Sequence, residues 1–140
     1  MPKAIAIDFG LKRCGIAITD ELQMIASPLE TVPSTELEDF LAKLNDKESI
    51  DSIVLGLPLG LDGSDTDITP NVRLLNERLN LLYPEKTIVL FDERFTSSMA
   101  SQAMVDFGMK KKDRQKKENI DMTSAALILQ GYLRSKESGL

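Results

Sequence analysis

The order of apolar and polar segments predicts an α/β fold, a mixed five-stranded sheet flanked by helices, with an antiparallel three-strand meander followed by two parallel strands. Three observations carry this. The chain opens with two short isoleucine-rich runs, residues 4–10 and 16–20, separated by a polar turn. Two later runs, residues 52–57 and 87–91, are apolar without alternation, as strands of a covered parallel sheet are. Between and after them, apolar residues recur at helical spacing. At 140 residues, one domain spanning 1–140 is expected, long enough to bury a sizeable core.

The first run, Ala4-Ile-Ala-Ile-Asp8-Phe9-Gly10, is too short for a helix and ends in a carboxylate, so Asp8 is expected at the mouth of the core. Gly10 permits a sharp turn or the close approach of a bound group. The polar turn 11–15 leads into a second hairpin strand, and Gln23-Met-Ile-Ala26, closed by Ser27-Pro28, reads as a short third. Thr35 and Glu38 have the capping-box spacing, with Thr35 as N-cap of a helix whose stripe is Leu37, Phe40, Leu41 and Leu44. After the strand at 52–57 comes a long loop rich in glycine and acid, residues 60–67. Thr69-Pro70 starts a second helix with Val72, Leu75, Leu79 and Leu82 inward. The strand at 87–91 runs into Asp92-Glu93-Arg94, and Thr96 or Ser97 caps a third helix, with Met99, Ala100, Ala103, Met104 and Phe107 inward, stopped by Gly108. A last helix starts near Asp121 and carries Met122, Ala125, Ile128, Leu129 and Tyr132 inward.

Composition narrows the chemistry. The chain has no histidine, which removes imidazole-activated nucleophiles and the usual zinc sites, so carboxylates or lysine must carry any catalysis. Such an inventory suits oxygen-seeking cations, Mg²⁺ or Mn²⁺. The single cysteine, Cys14, makes no internal disulfide and reads as a small packed spacer. No apolar run approaches the ~20 residues needed to cross a bilayer, and the first residues lack a signal-peptide pattern, so a cytoplasmic protein without membrane partners is expected. The net charge of −5 hides a separation: residues 110–117 hold six of the 17 basic residues and one of the 22 acidic ones. Lys110, Lys111, Lys112, Arg114, Lys116 and Lys117 thus form a basic arm suited to phosphate contacts in an otherwise acidic chain.

Strands running parallel to the first deliver their C-terminal ends to one sheet edge, where ligands of open α/β sheets bind. Asp8, the 58–67 loop and Asp92-Glu93 belong there, and Asp121 is expected in the first turn of the last helix. Converging carboxylates repel, by about 4 kcal/mol per pair at ~4 Å and an effective dielectric near 20. A bound cation or raised pKa values make such a cluster tolerable, and one or two Mg²⁺ ions are the economical explanation.

Ile7-Asp8-Phe9-Gly10, Arg13, Gly15-Ile-Ala, Gly56-Leu-Pro-Leu59, Asp62-Gly63-Ser64, Asp92-Glu-Arg-Phe-Thr96 and Asp121 before Ala125-Ala-Leu-Ile-Leu-Gln-Gly-Tyr132 resemble the YqgF family across essentially the whole chain. These bacterial proteins are relatives of the RuvC Holliday-junction resolvases, named as pre-16S rRNA nucleases. The resemblance implies an RNase H-like fold and a metal-dependent phosphodiesterase, a hydrolase that shortens the 5′ end of precursor 16S rRNA during ribosome biogenesis. It implies Asp8, Glu93 and Asp121 as catalytic metal ligands, Glu93 being preferred to Asp92 by the family pattern. Lys12, Arg13 and Arg94 remain as phosphate contacts beside the basic arm. Two alternatives stand beside this: a Holliday-junction DNA nuclease acting on branched DNA, and a non-catalytic rRNA-binding assembly factor. Ribosomal particles are the further partners implied, for a monomer or weak homodimer. The chain departs from the family pattern at Leu11, Gly60 and the stretch Asp65-Thr-Asp-Ile68, which alters substrate-facing loops and leaves the ligands in place.

Overall fold

β1 (Lys3–Phe9) is the middle strand of a five-stranded sheet. The computed structural model describes residues 2–93 and 117–137, the latter helix through its backbone alone at 117–120 and 137. β2 (Arg13–Thr19) pairs antiparallel with β1 on one side, and β3 (Ala26–Pro33) pairs antiparallel with β2 at the edge. β4 (Ile50–Leu57) pairs parallel with β1 on the other side, and β5 (Thr87–Asp92) pairs parallel with β4. The strand order β3-β2-β1-β4-β5 is the expected meander plus two parallel strands. Between strands lie α1 (Leu37–Lys47), preceded by a 3-10 turn at Ser34–Glu36, and α2 (Thr69–Leu82); α3 (Lys117–Glu137) follows the last strand.

The two faces of the sheet are built differently. Ile5, Ile7, Ile16, Ile53 and Leu55 are buried against Leu37, Leu41 and Leu44 of α1 and Val72 and Leu79 of α2. Each such side chain is worth about 1.5–3 kcal/mol when removed from water. The opposite face carries Ala4, Ala6, Ala17 and Val54, and α3 lies on it through Ala125, Ala126, Ile128 and Leu129. Small residues there let the helix approach the strands closely. Alternation along β1 therefore puts Asp8, after Ala4 and Ala6, on the face that α3 covers.

Four local expectations are corrected. The third strand is Ala26–Pro33, not 23–26. The Asp20 carboxylate accepts the backbone N–H groups of Met24 and Ile25, at 2.8 and 2.9 Å, and Gln23 adopts φ 52°, so this apolar stretch forms the turn. Pro28 and Pro33 are tolerated in β3 because it is an edge strand. Thr35 is not an N-cap: the chain enters α1 through the 3-10 turn, Glu36 stands at the cap position, and no side chain caps it. Leu82 faces outward at 39% exposure, since α2 ends there and Tyr83 packs on the core in its stead. Asp121 is the fifth residue of α3, one turn in from the end, because residues 117–120 are already helical. Met122 is half-buried. The helix expected over 96–108, with Met99 and Met104, lies outside the described residues. Among the described residues no helix is long and apolar enough to cross a membrane.

Candidate active site

β1, β4 and β5 run parallel, so Phe9, Leu57 and Asp92 end on one edge of the sheet. At that edge a cleft of about 330 Å³ is lined by Asp8, Phe9, Gly10, Leu11, Lys12, Arg13, Ile68 and Asp121. The β1–β2 turn that forms one wall is pinned from outside. The Ser34 hydroxyl donates to the Gly10 carbonyl, and the Ser34 N–H donates to the Lys12 carbonyl at 3.0 Å. The other wall comes from the start of α2, where the buried Thr69 hydroxyl donates to the Pro58 carbonyl and fixes Ile68 beside the end of β4. In the intervening loop Asp62 accepts from the N–H and hydroxyl of Ser64, and Gly63 takes φ 86°, a conformation glycine adopts without strain.

Asp8 is flanked by two glycines on the α3 face. Gly15 of β2 is its register partner, and Gly56 of β4 lies one step beyond the Ile7–Leu55 pair. A Cβ on Gly15 would overlap the backbone carbonyl of Asp121, so the missing side chain sets how near α3 comes to Asp8. A Cβ on Gly56 would overlap Oε2 of Glu93 and Cδ1 of Ile128, so the Glu93 carboxylate lies over β4 against α3. Glu93 follows the last residue of β5, and its N–H donates to the Leu57 carbonyl at 3.2 Å. Phe91 packs in the α3 layer, so Asp92 points to the other face and Glu93 returns to the face of Asp8.

The electrostatics record this convergence. Burial, then the charge of Glu93, then that of Asp121, hold the Asp8 carboxyl well above the usual carboxylate range. Burial and the neighbouring Asp92 raise Glu93 from 4.5 to about 7. Asp121 has a partner of opposite sign, for Arg13 Nε donates to its Oδ2 at 3.1 Å. Among the described residues no three carboxylate, thiol or imidazole groups stand close enough together to hold a metal ion as they are.

Of the residues singled out in the sequence, Asp8, Lys12, Arg13 and Asp121 line one cleft, and Glu93 acts on Asp8 through its charge. Arg94, Lys110, Lys111, Lys112, Arg114 and Lys116 lie outside the described residues, and Lys117 is the first residue of α3. Sequence reasoning missed Gly15 and Gly56 as spacers for the acids, and Ile68 as a wall. Both glycines stood in quoted motifs, but their role requires the strand register.

The family model RuvX, described as Holliday junction resolvase, matches residues 2–135. The chain belongs to the RuvX family. This is the grouping its motifs resemble under the name YqgF. A Phocaeicola vulgatus protein named "Putative pre-16S rRNA nuclease" is 44% identical over 137 residues, covering 98% of this RuvX chain and 99% of its own length. A Flavobacterium johnsoniae protein of the same name is 42% identical over 136 residues, covering 97% and 99%. Among solved structures, Fowlpox virus resolvase in complex with Holliday junction DNA matches with TM-score 0.63 at 13% identity, over 96% of this chain and 98% of that one. T. thermophilus RuvC in complex with a Holliday junction substrate matches with TM-score 0.60 at 11% identity, over 98% and 96%. These two likenesses show the shared RNase H-like fold. Membership in RuvX places the chain among the nucleases.

Proposed function

We propose that this RuvX protein is a divalent-cation-dependent nuclease that trims the 5′ end of precursor 16S rRNA during ribosome biogenesis, using the cleft at Asp8. The observation that carries this reading is Asp8 itself, which lines a cleft with Asp121 at the C-terminal edge of a parallel sheet and whose carboxyl is held well above its ordinary range by burial and then by the charges of Glu93 and Asp121. Carboxyls raised by burial and by neighbouring negative charge are common at functional sites, and a bound cation would relieve that repulsion. The names of the full-length relatives support precursor 16S rRNA as the substrate.

The donor set fits a hard cation, since Asp8, Glu93 and Asp121 offer only carboxylate oxygens, as Mg²⁺ and Mn²⁺ prefer. Those three residues would hold it. When bound, such an ion polarises the scissile phosphate and stabilises the charge that develops on it. The chain's own part is to position the substrate. Arg13 spends only Nε on Asp121, and its two Nη groups have no partner among the described residues, so they can grip a phosphate in fork geometry. Lys12 adds a second positive charge at the same wall. Phe9 and Ile68 bound the cleft with apolar surface. The six basic residues of 110–117 supply further phosphate contacts. A protein with this substrate works in the cytoplasm, on nascent ribosomal particles.

The test is cleavage of a 5′-extended 16S precursor and of a four-way DNA junction by the purified protein with Mg²⁺ or Mn²⁺. The expected result is shortening of the RNA, abolished by a chelator and by Asp8→Asn. Cleavage of the DNA junction alone would instead support junction resolution. Restoration of ribosome maturation in cells by Asp8→Asn would support a non-catalytic assembly role.

A further inference from the structure

We propose that Gly56 is a positioning residue for the Glu93 carboxylate, a bare patch of β4 across which that side chain reaches the face of Asp8. The proposal rests on the reading of Glu93 as a cation ligand. Glu93 lies just past the end of β5, a full strand away from Asp8, with β4 between them. Its backbone is tied to β4 through the Leu57 carbonyl, so its carboxylate can meet the charge of Asp8 only by running back over β4. The position it crosses is Gly56, where any Cβ would occupy the space of Oε2.

The neighbours of that missing Cβ separate placement from folding. At Gly56 both overlapping groups, Glu93 Oε2 and Ile128 Cδ1, are the far ends of flexible side chains, which can move without shifting the backbone. At Gly15, on the other flank of Asp8, the overlapping group is the backbone of α3. A methyl group at 56 is therefore absorbed by the fold, and what it displaces is the carboxylate.

The experiment measures Mn²⁺ binding by calorimetry and thermal unfolding for the full chain and for Gly56→Ala, Gly56→Ala/Ile128→Val and Glu93→Gln. Valine at 128 removes Cδ1 and relieves the packing overlap while leaving the overlap with Glu93. Gly56→Ala is expected to melt within a few degrees of the wild type and to bind Mn²⁺ about tenfold more weakly or worse, the range seen when a ligand's support is lost. The double variant is expected to bind as weakly as Gly56→Ala, and excess Mn²⁺ is expected to restore RNA cleavage to both but not to Glu93→Gln. Wild-type binding by Gly56→Ala beside weakened binding by Glu93→Gln overturns the positioning role alone, as does recovery of binding in the double variant. Wild-type binding by Glu93→Gln overturns the ligand reading and this proposal with it. Failure of both Gly56 variants to fold also overturns the proposal, which requires the fold to accept the methyl group.

Discussion

Arg13 Nε donates to Asp121 Oδ2 at 3.1 Å, tying the first residue of β2 to a carboxylate 108 positions later. With 31% and 20% of the two side chains exposed, the pair is better shielded from solvent than a surface ion pair. It neutralises one of the acids facing Asp8, and a cation entering the site must compete with it for Asp121. Arg13→Ala is expected to lower the stability of the metal-free protein by about 1–2 kcal/mol. The gain in melting temperature on adding Mn²⁺ is expected to increase, because Asp121 no longer has a guanidinium to leave. The same change removes a phosphate contact, so KM for RNA rises more than kcat falls. Thermal melts with and without Mn²⁺ and steady-state kinetics read all three; an unchanged Mn²⁺ increment would show that the guanidinium does not compete.

Glu93 and Asp8 give the pH dependence a definite sign. An unfolded chain releases the Glu93 proton near 4.5 and the folded one near 7, so between these values the folded state holds more protons. Stability is therefore fully present below about 4.5, falls as pH rises towards about 7, and stays low above it. Asp8, also raised, acts in the same direction. Glu93→Gln is expected to stabilise the metal-free protein at about pH 8 and to leave it unchanged at about pH 4. Cation binding runs the other way, tightening as pH rises through about 7 and Glu93 loses its proton, and cleavage at a subsaturating cation concentration follows it. Denaturant titrations at the two pH values check the first expectation and a pH–rate profile the second. A destabilised Glu93→Gln at high pH would contradict the convergence of charges.

Lys12 lines the cleft beside Arg13, and residues 110–117 carry six basic side chains. Each lysine that neutralises a phosphate releases counterions, so binding falls with salt in proportion to the number of contacts. Lys12→Ala is expected to weaken RNA binding without regard to sequence and to reduce the slope of log affinity against log salt by about one. Replacement of Lys110, Lys111 and Lys112 by Glu is expected to flatten the slope further. Filter binding over a range of KCl concentrations measures both, and an unaltered slope would remove these lysines from the RNA interface.

The strands around Asp8 were legible because their sequence matches their burial. Residues 4–7 and 52–55 are small or apolar and inaccessible or nearly so, which is why they read as covered strands. β3 was not legible, since an edge strand needs neither alternation nor the absence of proline, while Met24 and Ile25 mimic strand residues and stand 58% and 64% exposed in a turn. The start of α3 was placed late because residues 117–120 show no apolar periodicity of their own. Asp8 could be identified as a strand-end acid. Glu93 against Asp92 could not be decided in the sequence, since the apolar run 87–91 does not alternate and so does not show which face Phe91 takes. Spacer glycines are silent in a sequence because their neighbours come from distant parts of the chain, Asp121 for Gly15 and Glu93 and Ile128 for Gly56.

Gly15 provides the sharpest mechanical test of how the site is assembled. It faces Asp8 across the β1–β2 ladder, and a Cβ there would overlap the carbonyl oxygen and carbon of Asp121 and the amide of Met122. None of these atoms can swing aside as a side-chain tip does, so Gly15→Ala must lift α3 or bend β2. Forcing a methyl group into such a contact typically destabilises a protein by about 1–3 kcal/mol. Because α3 carries Asp121, the displacement also draws that carboxylate away from Asp8 and strains its bond to Arg13. Gly15→Ala is therefore expected to lose stability and Mn²⁺ affinity together, in contrast to Gly56→Ala, where affinity falls at nearly constant stability. Urea unfolding and Mn²⁺ titration of the two variants side by side distinguish these patterns. A Gly15→Ala protein as stable as the wild type would mean that α3 does not rest on β2 at this point.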